Sequence, residues 1–314
     1  MRINVLLCTY NGEKYLREQL DSIVEQTYDD FLLYIRDDGS ADGTAGIIEE
    51  YCNRYSDKVI ELKSHSHIGY PDCFWDILER CDTADLYAFA DQDDVWDHRK
   101  LERAAEVFSG LNQDYSDSIP PMLYIHDYYN CNASLKRTSI HRLKDIGKLT
   151  DMSILFYTFA SGFAMIINDS MRKWLEGMKI MGKAMYHDEL CIWTAYFHGR
   201  ILYDDAVLAS YRRHEAAVTR YGNRLPLLVS NWLMKEIMGP EFGYKCSRIR
   251  TFLLLEEGTE CKEDTGKVPD EWRLLSGNGR GAVSYFMRIM YPHRLRPSLG
   301  GELALRLLFI LNRK

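Results

Sequence analysis

Through its first 110 residues the chain alternates short β-rich runs with helical patterns, and no other feature limits its fold as strongly. The β-rich runs are Ile3–Cys8, Phe31–Ile35, Val59–Leu62 and Leu86–Ala90. Between them, Glu13–Gln26 places Leu16, Leu20, Ile23 and Val24 on one stripe, and Thr44–Tyr55 and Cys73–Cys81 read as further helices. Such alternation predicts a parallel sheet with right-handed crossovers. Ligands of these sheets bind beyond the carboxyl ends of the strands.

Past Gly110 the pattern loosens. Met122–His126, Phe163–Ile167 and Arg200–Tyr203 read as strands, and Arg99–Phe108 and Asp188–His198 as helices. Residues 128–150 read as polar and irregular. From about residue 222 only helices are predicted: Leu225–Met238, Tyr244–Glu257, Glu271–Leu275, Ala282–Met290 and Glu302–Asn312. The boundary between body and tail is expected near 216–224.

The strand ends carry the chemistry. The first ends in Thr9-Tyr10-Asn11-Gly12, which lacks the Gly-x-Gly-x-x-Gly of a dinucleotide site. It offers a hydroxyl, an aromatic face and an amide for a base or ribose, or simply an Asn-Gly turn. The second ends in Asp37-Asp38-Gly39-Ser40-Ala41-Asp42-Gly43-Thr44. Asp42 can cap the next helix and Gly39 can relax the turn. The adjacent Asp37 and Asp38 are not explained that way, and one of them could accept from a base N–H or a ribose hydroxyl. The fourth strand runs into Asp91-Gln92-Asp93-Asp94. Three carboxylates in four positions repel one another unless a cation offsets them. Mg²⁺ or Mn²⁺ prefers such oxygen ligands and keeps positions for phosphates. The competing reading is helix capping by Asp94 or Asp97. Asp188, in Tyr186-His187-Asp188-Glu189, reads first as a helix cap and also as a general base. His214, in Tyr211-Arg212-Arg213-His214, reads as a phosphate contact or as a solvated side chain.

These segments, in this order and spacing, resemble the family 2 inverting glycosyltransferases of GT-A fold, over roughly residues 1–215. Asp91-Gln92-Asp93-Asp94-Val95-Trp96, His187-Asp188 and Tyr211-Arg212-Arg213-His214 are further similar to the bacterial rhamnosyltransferase-like branch. Members of that branch build capsule, O-antigen and other surface polysaccharides. The resemblance implies an α/β, GT-A Rossmann-like fold, with a mainly parallel central sheet flanked by helices and a helical C-terminal extension. Residues 1–218 would form the nucleotide-sugar-binding and catalytic domain, and residues 219–314 the extension. Thr9, Tyr10 and Asn11 would line the nucleotide pocket. Asp38, with Asp37, would bind base or ribose, and Asp91 the ribose or metal side. Asp93 would ligate Mn²⁺ or Mg²⁺, His214 would contact metal or diphosphate, and Asp188 would be the catalytic base. Ser161-Gly162-Phe163 matches the turn before the acceptor-side strand. Glu189 stands where this branch has an aromatic, and is a minor candidate base. Implied partners are a dTDP- or UDP-linked sugar donor, with rhamnose favoured, and a glycan or lipid-linked acceptor.

Two other readings compete. Asp91-x-Asp93-x-Val95 after an apolar strand also fits the nucleophile motif of haloacid-dehalogenase-like phosphatases, with Asp204-Asp205 as a later metal pair. That motif normally opens its fold, whereas two strand–helix units precede it here. The other is a non-catalytic, GT-A-like binding subunit.

Charge separates the body from the tail. The 314 residues carry 46 acids against 39 Lys and Arg, a net −7 that argues against nucleic acid as the main partner. From Trp272 onward there are eight Lys or Arg and one acid, Glu302, so the tail is +7 and residues 1–271 are −14. Apolar and aromatic residues with interspersed Arg describe helices suited either to an anionic membrane interface or to ordinary packing. The eight cysteines form no Cys-x-x-Cys pair, which argues against structural zinc, and several lie within apolar runs, which suits free thiols in a reducing compartment. Ile3–Cys8 is too short for a signal core, and Ile154–Ile167 falls short of the ~20 residues of a spanning helix. The expected location is the cytoplasm, with peripheral contact at the inner face of the cell membrane.

Overall fold

Ile3–Thr9 (β1) is apolar and buried over nearly its whole length, and such a run requires cover on both faces. In the computed structural model it has parallel partners on both sides. The structure describes residues 1–64, 66–111, 119–143, 150–214, 239–258, 268–277, 282–296 and 298–311. After β1 come α1 (Leu16–Val24), β2 (Phe31–Asp37), α2 (Thr44–Arg54), β3 (Val59–Glu61), α3 (Asp72–Arg80) and β4 (Leu86–Ala90). Strands β2 and β3 extend the sheet on one side of β1 and β4 on the other, all parallel. The helices cover the strands with their apolar stripes: Leu16, Leu20 and Ile23 from α1, and Ile47, Ile48 and Tyr51 from α2.

Beyond β4 the sheet is mixed. The elements are β5 (Val95–Trp96), α4 (Lys100–Leu111), β6 (Met122–Asn132), β7 (Arg137–His141), α5 (Asp151–Phe156), β8 (Met165–Asn168), α6 (Asp169–Gly177), α7 (His187–His198) and β9 (Arg200–Arg213). Strand β8 inserts antiparallel between β4 and β6. Strand β9 runs parallel to β6 and antiparallel to β5. The order is β3-β2-β1-β4-β8-β6-β9-β5, with β7 on β6.

Two segments differ from the sequence reading. Residues 128–141 fall in the stretch read as irregular, yet they form the second half of β6 and its hairpin partner β7. Their pairing depends on distant β9 and on Tyr128 stacking against His141 at 4.4 Å, which no local pattern announces. Strand β9 continues ten residues past Tyr203, to Arg213. That extension brings Arg212 and His214 to the Asp93–Asp94 turn.

The chain forms two compact units: residues 1–144 with 160–214, and residues 145–159 with 215–314. The second unit is helical in its described part: α5, α8 (Glu241–Gly258), α9 (Glu271–Leu275), α10 (Ala282–Ile289) and α11 (Leu299–Leu311). Phe156, Phe242 and Phe309 meet at its centre, and the buried Trp272 donates its Nε1–H to the Asp151 carbonyl at 3.1 Å. No helix among the described residues is long and apolar enough to cross a membrane. The expected helix Leu225–Met238 and the boundary at 216–224 lie outside the described residues.

Candidate active site

The carboxyl ends of β1, β2 and β4 adjoin, because the three strands are parallel neighbours. The turn after β1 is locked to its surroundings. Asn11 adopts φ +50°, a left-handed conformation that Asn tolerates. Its side-chain oxygen accepts from Ala41 N–H at 2.8 Å, and its own N–H donates to Ser40 Oγ at 2.8 Å. Tyr10 exchanges two backbone hydrogen bonds with the Gln92 amide, at 2.9 and 3.0 Å. A Cβ at Gly12 would lie 2.2 Å from Gln92 Oε1 and would displace that amide from Tyr10. The Tyr10 ring is half exposed and stands 4.6 Å from the His67 ring, giving two aromatic faces at the rim.

Asp37 and Asp38 brace this rim. Asp37 accepts from Thr9 Oγ1 at 2.9 Å, Ser40 Oγ at 2.5 Å and Ser40 N–H at 3.0 Å. Asp38 is buried against the Arg36 guanidinium. It also accepts from the backbone N–H groups of Ile68 at 3.0 Å and Gly69 at 2.8 Å. Burial alone would raise its pKa. The Ile68 N–H, the Arg36 guanidinium and the Gly69 N–H overcome that and hold the carboxyl below the usual range. Asp38 therefore ties the 67–69 loop to β2. The sequence singled out Asp38 but not its partner Arg36, whose signal is a cation beside two acids at the end of an apolar strand.

The β4 end gathers the negative charge. Asp94 is fully buried; its Oδ1 accepts from Arg212 N–H at 3.0 Å, and its Oδ2 has no hydrogen-bond partner. Asp97 closes the turn that precedes α4, accepting from Arg99 N–H at 3.0 Å. Burial, then the charges of Asp93 and Asp188, pushes the Asp91 carboxyl up to about 7. Asp188, 97 residues after Asp91, is thus among the charges that act on the end of β4. Burial and the neighbouring acids Asp91 and Asp93 also raise Asp94 well above its ordinary value.

Two cations to which the sequence reading gave no role of their own support the cluster. Lys100 is fully buried, donates to the Phe163 carbonyl at 2.6 Å and lies 3.3 Å from the Trp96 ring centroid. Burial pulls its pKa well down, opposed by the charges of Asp94 and Asp91. Its signal was visible: Lys100, Ala104 and Phe108 share one stripe of α4, an odd place for an unpaired cation. Arg212, also buried, donates to the carbonyls of Asp93 at 2.8 Å and Ala133 at 2.9 Å, and pairs with Glu18. Next to it, His214 Nε2 donates to Asp93 Oδ2 at 2.7 Å.

Helix α7 supplies Asp188. The preceding His187 is buried between Phe74 and Phe89, with ring centroids at 4.4 and 4.7 Å, and neither of its nitrogens has a hydrogen-bond partner. Burial drives its pKa down to about 3, so it is neutral. Gly162 makes room for it, since a Cβ there would lie 1.9 Å from His187 Nε2. Asp188 is partly exposed and accepts from Glu189 N–H at 2.8 Å, whereas Glu189 is buried. Of the two candidate bases, Asp188 is the more exposed. Tyr70, half exposed and 5.1 Å from the Tyr186 ring, feels the charges of both Asp188 and Asp91. Asp204, the proposed phosphatase-like acid, is occupied by Arg103 and Tyr124, each at 3.0 Å.

Among the described residues, no group of three or more His, Cys, Asp or Glu side chains is arranged to hold a metal ion. The donors nevertheless fit a divalent cation that shares its ligands with a substrate. Asp93 and His214 converge, Asp91 and Asp94 crowd the same turn, and Asp94 Oδ2 is an orphaned buried acceptor. Mg²⁺ binds in just this way, through one or two carboxylates plus phosphates and water.

The parallel β3-β2-β1-β4 half, the mixed half beyond it and the acids at the switch between them define an α/β protein of GT-A fold. Two solved structures of Staphylococcus aureus TarS share that fold. The 1–349 fragment in complex with UDP-GlcNAc aligns with a TM-score of 0.56 and 17% identity, over 99% of this chain and 81% of that one. The same fragment with UDP aligns at 0.51 and 19%, over 84% and 68%. The signature described as glycosyl transferase family 2 matches residues 4–171, over half of the chain, and the chain belongs to that family. It is 36% identical over 111 residues to the dTDP-rhamnosyl transferase RfbG of Shigella flexneri, covering 34% of this chain and 38% of RfbG. It is 33% identical over 119 residues to the poly(ribitol-phosphate) beta-N-acetylglucosaminyltransferase TarS, covering 37% of this chain and 20% of TarS. The chain spans about a third of the length of RfbG and two other curated relatives, and a fifth of TarS.

Proposed function

We propose that this chain is a metal-dependent, inverting glycosyltransferase of bacterial surface polysaccharide synthesis. It moves a sugar from a nucleotide-diphosphate donor to a hydroxyl of a glycan or lipid-linked acceptor. The observation that carries this reading is the charge that Asp93 and Asp188 exert on Asp91, with His214 on Asp93. The identity to RfbG favours rhamnose and a dTDP-linked donor, while TarS keeps UDP-linked donors open.

The nucleoside binds at the rim formed by Thr9, Tyr10 and Asn11, with Tyr10 and His67 offering stacking faces. Asp37 and Asp38 fix the rim's shape through Ser40 and the 67–69 loop. Asp93 and Asp91 would hold Mn²⁺ or Mg²⁺, which would supply positive charge to the donor's diphosphate. Asp188 accepts the proton of the acceptor hydroxyl. The acceptor oxygen forms a bond to the anomeric carbon from the face opposite the diphosphate. The anomeric C–O bond breaks, its electron pair leaves with the nucleoside diphosphate, and the configuration inverts. His214 stands beside Asp93 to donate a hydrogen bond to that leaving group. Peripheral attachment at the inner face of the cell membrane would bring lipid-linked acceptors within reach.

A panel of dTDP-, UDP- and GDP-sugars with Mn²⁺ or Mg²⁺ tests the reading by thermal stabilisation and donor hydrolysis. A sugar nucleotide that stabilises only with metal, and is slowly hydrolysed, is expected. Metal-independent binding without hydrolysis would favour a binding subunit, and phosphate release from small phosphoesters a phosphatase.

A further inference from the structure

The tail helices have two apolar faces where a packed helix needs one. On α10, Val283, Phe286 and Met287, with Met290 just beyond it, recur at spacings of three and four and so share one face. All four are exposed, Val283 by 75% and Phe286 by 63%. On α11, Leu299, Leu303, Leu307 and Leu311 recur every four residues, and each is exposed. The opposite faces are already packed: Leu305, Leu308 and Phe309 are buried, as is Arg288. The two helices are held together by Tyr285, which donates to the Ile310 carbonyl at 2.7 Å, and by Arg306, which donates to the carbonyls of Arg288 and Ile289 at 3.2 and 2.9 Å. Their outward stripes are therefore not spare core surface.

The net charge of the segment points to what the stripes meet. Residues 272–314 carry a net +7. Their one acid, Glu302, is turned inward and buried. It pairs with Arg306 and accepts from the N–H groups of Leu295 at 2.7 Å and Arg296 at 2.9 Å. Arg294, in the connection between the helices, is exposed. A second copy would bring like charges together. An anionic lipid surface offers the complementary charge and takes the apolar side chains as well. Helices of eight and thirteen residues are too short to span a bilayer and suit a position in its interface.

We propose that the outward stripes of α10 and α11 form a docking surface for an anionic membrane, with Phe286 and Leu303 as its main anchors. The proposal deepens the membrane part of the proposed function and rests on that part alone, not on the chemistry of transfer. The test is sedimentation of the full chain with vesicles of phosphatidylcholine, alone or mixed with phosphatidylglycerol. The wild type should bind the mixed vesicles, less at high salt, and bind pure phosphatidylcholine weakly. The Phe286→Ser/Leu303→Ser variant, altered only at exposed positions, should lose roughly tenfold or more in partitioning for each side chain. Its melting temperature and its nucleotide-dependent stabilisation should stay at wild-type values. Equal binding of variant and wild type would overturn the proposal. So would a wild type that ignores both vesicles, or one that self-associates in solution through these same side chains. Donor hydrolysis measured without vesicles reports on transfer chemistry separately, so either idea can fail alone.

Discussion

His214 Nε2 lies 2.7 Å from Asp93 Oδ2, across 121 residues of sequence. The contact exists because β9 runs on to Arg213 and pairs with β5, which follows the acidic turn directly. One histidine thereby joins the end of the first unit's last strand to the acids after β4. Replacing His214 with Ala, or Asp93 with Asn, should weaken Mn²⁺-supported nucleotide binding by roughly tenfold to a hundredfold. Binding of nucleotide without metal should change little. Calorimetric titration of nucleotide at several Mn²⁺ concentrations measures both.

Arg212 acts on the same turn through the backbone. Arg212→Met would leave the carbonyls of Asp93 and Ala133 without their donor, and Glu18 without its cation. Each buried acceptor left unpaired costs about 1–3 kcal/mol. The variant should melt earlier and lose affinity for metal-bound nucleotide, and Arg212→Lys should restore only part of each. Thermal melts with and without Mn²⁺ and nucleotide separate the two effects.

Gly162 tests the packing behind Asp188. A Cβ at 162 would collide with His187, and His187 is clamped between Phe74 and Phe89. Gly162→Ala should destabilise the protein by about 1–3 kcal/mol and lower transfer by shifting the start of α7. Adding His187→Ala removes the colliding ring, so the double variant should lie closer to the wild type than additivity allows. Denaturant unfolding of all four proteins completes the cycle.

The Arg36–Asp38 pair predicts a pH dependence. Asp38 has a lowered pKa in the folded state, so the stability it contributes is present above the ordinary carboxylate range. That stability is lost as pH falls through the folded value. Arg36→Met should cost about 3–5 kcal/mol near neutral pH, since it strands a buried carboxylate. Asp38→Asn should be less stable than the wild type at pH 7 and approach it on acidification. Urea unfolding from pH 7 down to the acid limit reads both differences.

The parallel half of the sheet and the positions of its acids were legible because they are local. An apolar run ending in Asp91-Gln92-Asp93-Asp94 states its own burial and its own charge problem. What was not legible depends on pairing between distant segments. Residues 128–141 look polar because most of β7 faces outward, and the end of β6 is covered only once β7 and the distant β9 pair with it. Asp38 was marked as a ligand-facing acid, yet its oxygens are taken up by Arg36 and by a loop thirty residues away. Lys100 was legible only in part: its place on the apolar stripe of α4 marks it, but the acids it faces emerge only when β4 and α4 are placed in space.

Asp188→Asn tests the central claim most directly, by comparing glycosyl transfer with donor binding in the same preparation. The account predicts that transfer falls by about 10²- to 10⁴-fold. Donor affinity with Mn²⁺ should stay within about twofold, a difference of roughly 0.4 kcal/mol. Transfer near the wild-type rate with donor binding intact would contradict the account and remove Asp188 as the base.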